Sequence, residues 1–194
     1  MKDIIFKKRI KTLLAIDEVG RGSLAGPFYV GGLFIDKTFY KILEKIGVKD
    51  SKKLNANKRL ELYKKLKKEK FEFHIVKFSS KEVDKFSIGK CFIEAIYRLN
   101  NIYHPDLIII DGKKINLKIK NVQFFIKGDE TIKPISAISI ISKVLRDRYM
   151  VFLDKFYPYY KFKENKGYGT KEHIKAIKKY GLTKHHRISF CKFI

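Results

Sequence analysis

A chain of 194 residues, 45% hydrophobic and 14% aromatic, holds enough material for one packed domain and too much apolar surface for a disordered segment. Its 44 Lys and Arg against 20 Asp and Glu give a formal net charge of +24, a field that favours a polyanion such as nucleic acid; arginine is scarce while Lys, Ile, Asn and Phe abound, as AT-rich coding would produce, so the charge permits that partner without identifying it. No run approaches eighteen consecutive apolar residues, which excludes a spanning helix, and Cys91 and Cys191 stand apart with no Cys/His cluster, which excludes a zinc site or disulfide framework and fits a reducing cytoplasm.

The basic residues 1–14 lack the long apolar stretch and small-residue cleavage site of a secretory signal. Residues 12–17 are strand-like and run to Gly20; after a turn over 21–27, residues 28–35 read as a second strand. Residues 56–68 form an amphipathic helix, and 71–78 alternate as a third strand. Ser79 and Glu82 make a capping box that opens a helix towards Asn100. The short, wholly apolar run 107–110 predicts a buried central strand, followed by another over 122–126. From 134 to about 156 the pattern is helical, with Ile135, Ile138, Ser142, Leu145 and Tyr149 on one stripe, and Thr170 caps a last helix that Gly181 ends. There is no internal repeat and no Pro/Gly/Ser-rich linker. The order predicts an α/β fold built on a five-stranded mixed sheet flanked by helices. Its first three strands are antiparallel and the later ones are added in parallel through a helical crossover. We expect one domain over 1–194, helical from about 157 to the end.

Four carboxylates stand at strand ends or strand-to-helix junctions. Asp17 and Glu18 are adjacent and precede Gly20-Arg21-Gly22; since consecutive strand side chains point to opposite faces, sharing a site requires the strand to end or twist there. Asp111 follows the apolar run 107–110, where open α/β sheets place ligand-binding groups. Asp129 precedes the long helix and serves either as a cap or as a ligand. An all-oxygen set suits Mg²⁺ or Mn²⁺, and two such ions roughly 4 Å apart promote phosphodiester hydrolysis.

The run 16–27, IDEVGRGSLAGP, resembles the opening signature of the ribonuclease HII family. So do Asp50-Ser51-Lys52-Lys53-Leu54, the stretch from Gly128-Asp129 through 136–144 to Arg146-Asp147-Arg148-Tyr149-Met150, and the tail blocks 165–170, His173 and 186–190. The resemblance spans nearly the whole chain in the family's order. It implies a ribonuclease H-like fold and a monomeric cytoplasmic endonuclease. Its substrates would be RNA/DNA hybrids and duplex DNA containing ribonucleotides, cut on the 5′ side to leave 3′-hydroxyl and 5′-phosphate ends.

It also implies that Asp17, Glu18, Asp111 and Asp129 bind two Mg²⁺ or Mn²⁺ ions, that the Gly20-Arg21-Gly22 turn reads the 2′-hydroxyl, and that Tyr168 packs on the following sugar and favours deoxyribose. Lys52, Lys53, Lys143 and Arg187 would contact phosphates or support the site. Arg146 and Asp147 read as a helix ion pair and stay outside the catalytic set. Three departures stand out. Val19 and Ser23 replace Ala and Pro; residues 130–134 leave the usual alanine-lysine-serine pattern, making Glu130 an alternative oxygen donor; and Ile138 replaces a small residue, implying a looser helix-to-sheet contact or a compensating cavity. The type HIII relatives usually carry an extra N-terminal domain, and the few residues before the first strand favour type HII; no long clamp-binding C-terminal extension is expected. The rival reading is a non-catalytic basic module that coats nucleic acid, which four carboxylates in a phosphate-binding groove oppose unless metals neutralise them.

Overall fold

Along β1 (Thr12–Val19) successive side chains enter two different cores. Leu13 and Ala15 join one, and Leu14 and Ile16 the other, all with no solvent exposure. This alternation makes β1 the centre of the fold, because a strand buried on both faces must be covered on both. The computed structural model describes residues 10–48 and 54–193. β2 (Phe28–Asp36) and β3 (Glu72–Phe78) extend the sheet on one side of β1 as antiparallel strands, while β4 (Leu107–Asp111) and β5 (Val122–Phe125) extend it on the other in parallel. The resulting order, β3-β2-β1-β4-β5, is the mixed five-stranded sheet expected.

Between strands run α1 (Lys37–Ile46), α2 (Ala56–Lys68) and α3 (Ser80–Tyr103). After β5 come the single turn α4 (Gly128–Thr131) and α5 (Lys133–Asp154), then the short α6 (Phe162–Asn165) and α7 (Lys171–Tyr180). The predicted capping box is formed: Ser79 Oγ accepts from Glu82 N, and the Glu82 carboxylate accepts from Ser79 N at 2.7 Å. α3 covers one face with Phe92, Ala95, Ile96 and Leu99, and bends at Ser87, whose φ is 68°. Sequence pattern alone did not reveal α1. Its cues are local: the Asp36 carboxylate accepts from Thr38 N and Phe39 N, and Gly47 ends the helix at φ 74°.

α5 lies across β1 and β2 on the opposite face. Of its predicted stripe, Ile135, Ile138 and Ser142 are fully buried, while Leu145 and Tyr149 are half-buried. The contact is not loosened by Ile138, however. Gly31 on β2 supplies the space, since a Cβ there would lie 2.7 Å from Ile138 Cγ1 and 2.2 Å from Ser142 Oγ. A bulky helix residue is matched by a bare strand residue. The C-terminal part builds a third core from Met150, Leu153, Tyr160, Phe162, Ile177 and Cys191, and returns to the loop after β1 through a bridge between Ala25 and His186. No helix among the described residues is long and apolar enough to cross a membrane.

Candidate active site

β4 is registered against β1 only as far as Ile16 and Ile110, whereas β2 accompanies β1 to Val19. Of the two alternatives, an end or a twist at the two carboxylates, the strand does not end there. It continues, paired on one side only, and the space beyond the end of β4 becomes a cleft of about 400 Å³. Strand twist and the missing neighbour let residues from both faces of β1 reach it. Asp17, Glu18, Asp111 and Asp129 all line this cleft, with Gly20, Arg21, Lys143 and Tyr168. Glu130 is not among its lining residues, which removes it as the alternative donor. Asp129 belongs to α4 rather than capping α5.

Asp17, Glu18 and Asp111 are each held by a neighbour. Asp17 is almost fully buried and hydrogen-bonds to Ser139 of α5. Burial, the charge of Glu18 and then that of Asp111 hold its carboxyl well above the usual carboxylate range, and the Ser139 bond opposes them only in part. Burial also raises Glu18, against the pull of Arg21, whose Nε donates to Glu18 Oε1 at 2.8 Å. Asp111 Oδ1 accepts from Gly128 N at 2.6 Å, which ties the end of β4 to the turn bearing Asp129. Ser136 Oγ donates to the Asp129 carbonyl at 2.5 Å.

Carboxylates whose ionisation is suppressed by burial and mutual repulsion fit a place for cations. Among the described residues no His or Cys lines the cleft, so the donors are hard oxygens, suited to Mg²⁺ or Mn²⁺ and not to zinc. Among the described residues, no three Asp, Glu, His or Cys side chains converge tightly enough to form a closed cage for one ion. Two reasons are visible: Glu18 is turned towards Arg21 and Asp111 towards the Gly128 amide. An open cleft between carboxylates agrees with metals that keep positions for water and phosphate oxygens.

The remaining predicted residues divide. Lys143 lies beside the cleft, with Nζ 3.1 Å from Asp147 Oδ1 and 5.5 Å from the centre of the half-buried Tyr168 ring. Gly22 is exposed, with open space where a Cβ would stand. Gly20, at φ 85°, is needed by the protein itself, because a Cβ there would lie 2.3 Å from Arg146 Nε. Arg187, expected to contact phosphates or support the site, is fully buried. Its Nη1 donates to the Gly20 and Arg21 carbonyls at 2.7 and 3.0 Å, and its Nε and Nη2 to that of Gly26. It supports the turn from beneath. Lys52 and Lys53 lie outside the described residues.

Ser139 and Arg59 also line the cleft and were not anticipated. Ser139 sits within the helical signature, one turn before Lys143, and that spacing was the available cue; Arg59 gave none. Nor does Arg146 pair with Asp147, which pairs with Lys143; neighbours one residue apart on a helix do not face each other. Arg146 is instead fully buried and bonded to backbone carbonyls.

The family model described as Ribonuclease HII matches residues 14–193. The chain is 38% identical to a ribonuclease HII of Caldicellulosiruptor bescii, covering 100% of this chain and 93% of that protein. It is 44% identical to a ribonuclease HII of Pelagibacter ubique, covering 93% and 96%. Among solved structures, the ribonuclease H2 of Pyrococcus horikoshii is similar with a TM-score of 0.77 at 27% identity, covering 94% of this chain and 96% of that one.

Proposed function

The chain belongs to the ribonuclease HII family, metal-dependent endoribonucleases that act on RNA/DNA hybrids, and from that premise we propose that it also nicks duplex DNA immediately 5′ to an embedded ribonucleotide, using the cleft at the end of β1 and β4. The observation that carries this reading is the convergence of four carboxylates from β1, β4 and α4 beside a Gly-Arg-Gly turn whose Arg21 and Gly22 are exposed. Asp17, Glu18, Asp111 and Asp129 would hold Mg²⁺ or Mn²⁺, which when bound supplies a Lewis acid for the scissile phosphate and lowers the pKa of water. Ser139 orients Asp17, the Gly128 amide orients Asp111, and Arg21 holds Glu18 until a cation competes for it.

Recognition of the 2′-hydroxyl has support in the peptide geometry. Arg187 draws the Gly20 and Arg21 carbonyls inward. In a planar trans peptide the following N–H points the opposite way, so the amides of Arg21 and Gly22 face away from the buried guanidinium, on the exposed side of the turn. Gly22 leaves room for a sugar to approach, and the 2′-hydroxyl is the group that separates RNA from DNA. Tyr168, which also lines the cleft, would pack against the next sugar, and Lys143 and Arg59 would meet phosphates. The products would be a 3′-hydroxyl and a 5′-phosphate.

The test is a labelled DNA duplex with one ribonucleotide, beside an all-DNA control and a long hybrid, each with Mg²⁺, Mn²⁺ or EDTA. We expect a metal-dependent nick 5′ to the ribonucleotide and none in the control. Asp17→Asn and Asp129→Asn should each abolish the nick while leaving duplex binding intact. Wild-type turnover in either variant would sink the assignment of the ligands. Cleavage of the long hybrid alone would remove the junction reading.

A further inference from the structure

The two reading parts of the cleft, the turn after β1 and the turn bearing Tyr168, come from segments about 145 residues apart in the chain. Both are irregular backbone, and what fixes one against the other is therefore a question of long-range bonds. Arg146 of α5 stands between them. Nε donates to the Pro27 carbonyl at 2.9 Å, and Nη2 donates to Ser23 Oγ at 2.8 Å and the Ala25 carbonyl at 3.2 Å. Nη1 reaches the other segment, donating to the Lys166 carbonyl at 2.9 Å. The guanidinium carbon lies 5.4 Å from the centre of the Tyr168 ring, within cation–π range.

We propose that Arg146 is a positioning residue that clasps the Gly-Arg-Gly turn to the Tyr168 turn, so that the part facing the ribonucleotide and the part facing the next sugar keep a fixed register. The inference rests on the reading of those two parts given above. Four observations set this apart from a buried arginine that only fills space. First, its acceptors belong to both segments, whereas Arg187, equally buried, bonds only to carbonyls of the first. Second, backbone bonds join the same two segments at the same place, Leu24 N and Ala25 N both donating to the Gly167 carbonyl at 2.8 and 3.1 Å. Third, the approach tolerates no side chain: a Cβ on Gly167 would lie 2.2 Å from the Ala25 carbonyl oxygen, and one on Gly20 would strike Arg146 itself. Fourth, Ser23 Oγ, one of the acceptors, donates onward to the Gly20 carbonyl at 3.0 Å, so the clasp reaches the first residue of the reading turn.

A planar fork with several N–H groups in fixed directions can bind two segments at once; an ammonium cannot hold the same set of acceptors. Arg146→Lys keeps the charge and loses the fork. The readout is the ratio of single-turnover nicking rates on a duplex with one ribonucleotide and on a long RNA/DNA hybrid. An error of order 1 Å in placement costs up to ~10²-fold in rate, so we expect the ratio to fall by roughly tenfold or more in Arg146→Lys, chiefly through the single-ribonucleotide substrate. Tyr168→Ala should lower the same ratio, and the double variant should fall no further than Tyr168→Ala alone, since coupled residues are not additive.

A parallel loss on both substrates, with the ratio unchanged, would overturn the clasp and leave Arg146 a stabilising residue. If Arg146→Lys shows no cooperative melting transition, Ser23→Ala serves instead. It removes one acceptor while the guanidinium stays, and should lower the ratio several-fold; an unchanged ratio there also overturns the clasp. Tyr168→Ala separates this failure from that of the underlying reading. If it keeps the wild-type ratio, Tyr168 does not read the junction and the clasp has nothing to position. If it loses the ratio while Arg146→Lys does not, only the clasp is wrong.

Discussion

Replacing Gly31 by alanine should disturb the cleft from beneath without altering any residue that lines it. Gly31 pairs with Asp17 across the sheet, and its bare face receives α5. An alanine Cβ would lie 2.2 Å from Ser142 Oγ and 2.7 and 2.8 Å from Ile138 Cγ1 and Cδ1, while ordinary contact begins near 3.4 Å. The hydroxyl must therefore retreat by about 1.2 Å, the difference between 3.4 and 2.2 Å. Neither side chain has free space, because both are fully buried and protein interiors are close-packed. Overpacking of this kind costs about 1–3 kcal/mol, a fall in Tm of about 2–12 °C for a domain of this size. The same displacement acts on Ser139, on the helix between those two residues, and through it on Asp17. Nicking should fall by up to ~10²-fold. A thermal melt and single-turnover nicking with Mg²⁺ measure both effects. Ser142 Oγ is buried with no hydrogen-bond partner among the described residues, so Ser142→Ala alone should cost little and should rescue much of the loss when combined with Gly31→Ala. A Gly31→Ala protein that melts and cleaves like the wild type would refute the close approach of α5 to β2.

Two further outcomes concern charge. Burial and mutual repulsion hold the Asp17 carboxyl above its ordinary value, with Glu18 raised as well, so the folded metal-free protein binds protons there more tightly than the unfolded chain. Stability then falls as pH rises through the window above the ordinary carboxylate pKa. Asp17→Asn should accordingly raise Tm in EDTA at neutral pH and blunt the stabilisation by Mg²⁺, which in the wild type would be about 2.7 kcal/mol at a hundred times Kd; a lower Tm for the variant in EDTA would contradict this. Burial, followed by the charge of neighbouring His173, lowers His186 to about 4 from 6.5. The unfolded chain is then the better proton acceptor between those values, and stability is lost as pH falls through them. Urea midpoints at neutral pH and near roughly pH 5 should show a smaller acid loss in His186→Gln than in the wild type, and an equal loss would exclude the pair as its source.

The strands, the two long helices and the positions of the four carboxylates were legible in the sequence because each has a local signal: period-two alternation, a capping box, an acid just past an apolar run. The local rules also misled. Alternation left an end or a twist at Asp17 and Glu18 equally open; β1 continues to Val19 because β2 pairs with it there, and the early end of β4 opens the cleft. Ile138 read as a misfit until Gly31, on another strand, was seen to receive it. Arg146 read as a helix ion pair because most of its real partners, the carbonyls of Ala25, Pro27 and Lys166, have no side-chain signature and lie about 20 and 120 residues away. Backbone acceptors are present at every residue and mark none of them.

That asymmetry bears on how the molecule divides its labour. The carboxylates stand on the sheet and on the turn that follows it, placed by strand register and by bonds such as Gly128 N to Asp111. The proposed reading elements stand on loops, which have no register of their own and are held by two buried guanidinium groups with carbonyl acceptors. Burying a cation is tolerated only where its donors are met, so each arginine fixes the loop as firmly as the loop neutralises it. On the proposed reading, chemistry and discrimination depend on separate supports. Variants of the carboxylates should stop cleavage of every substrate alike, whereas variants of the arginine supports should first alter which substrate is cut.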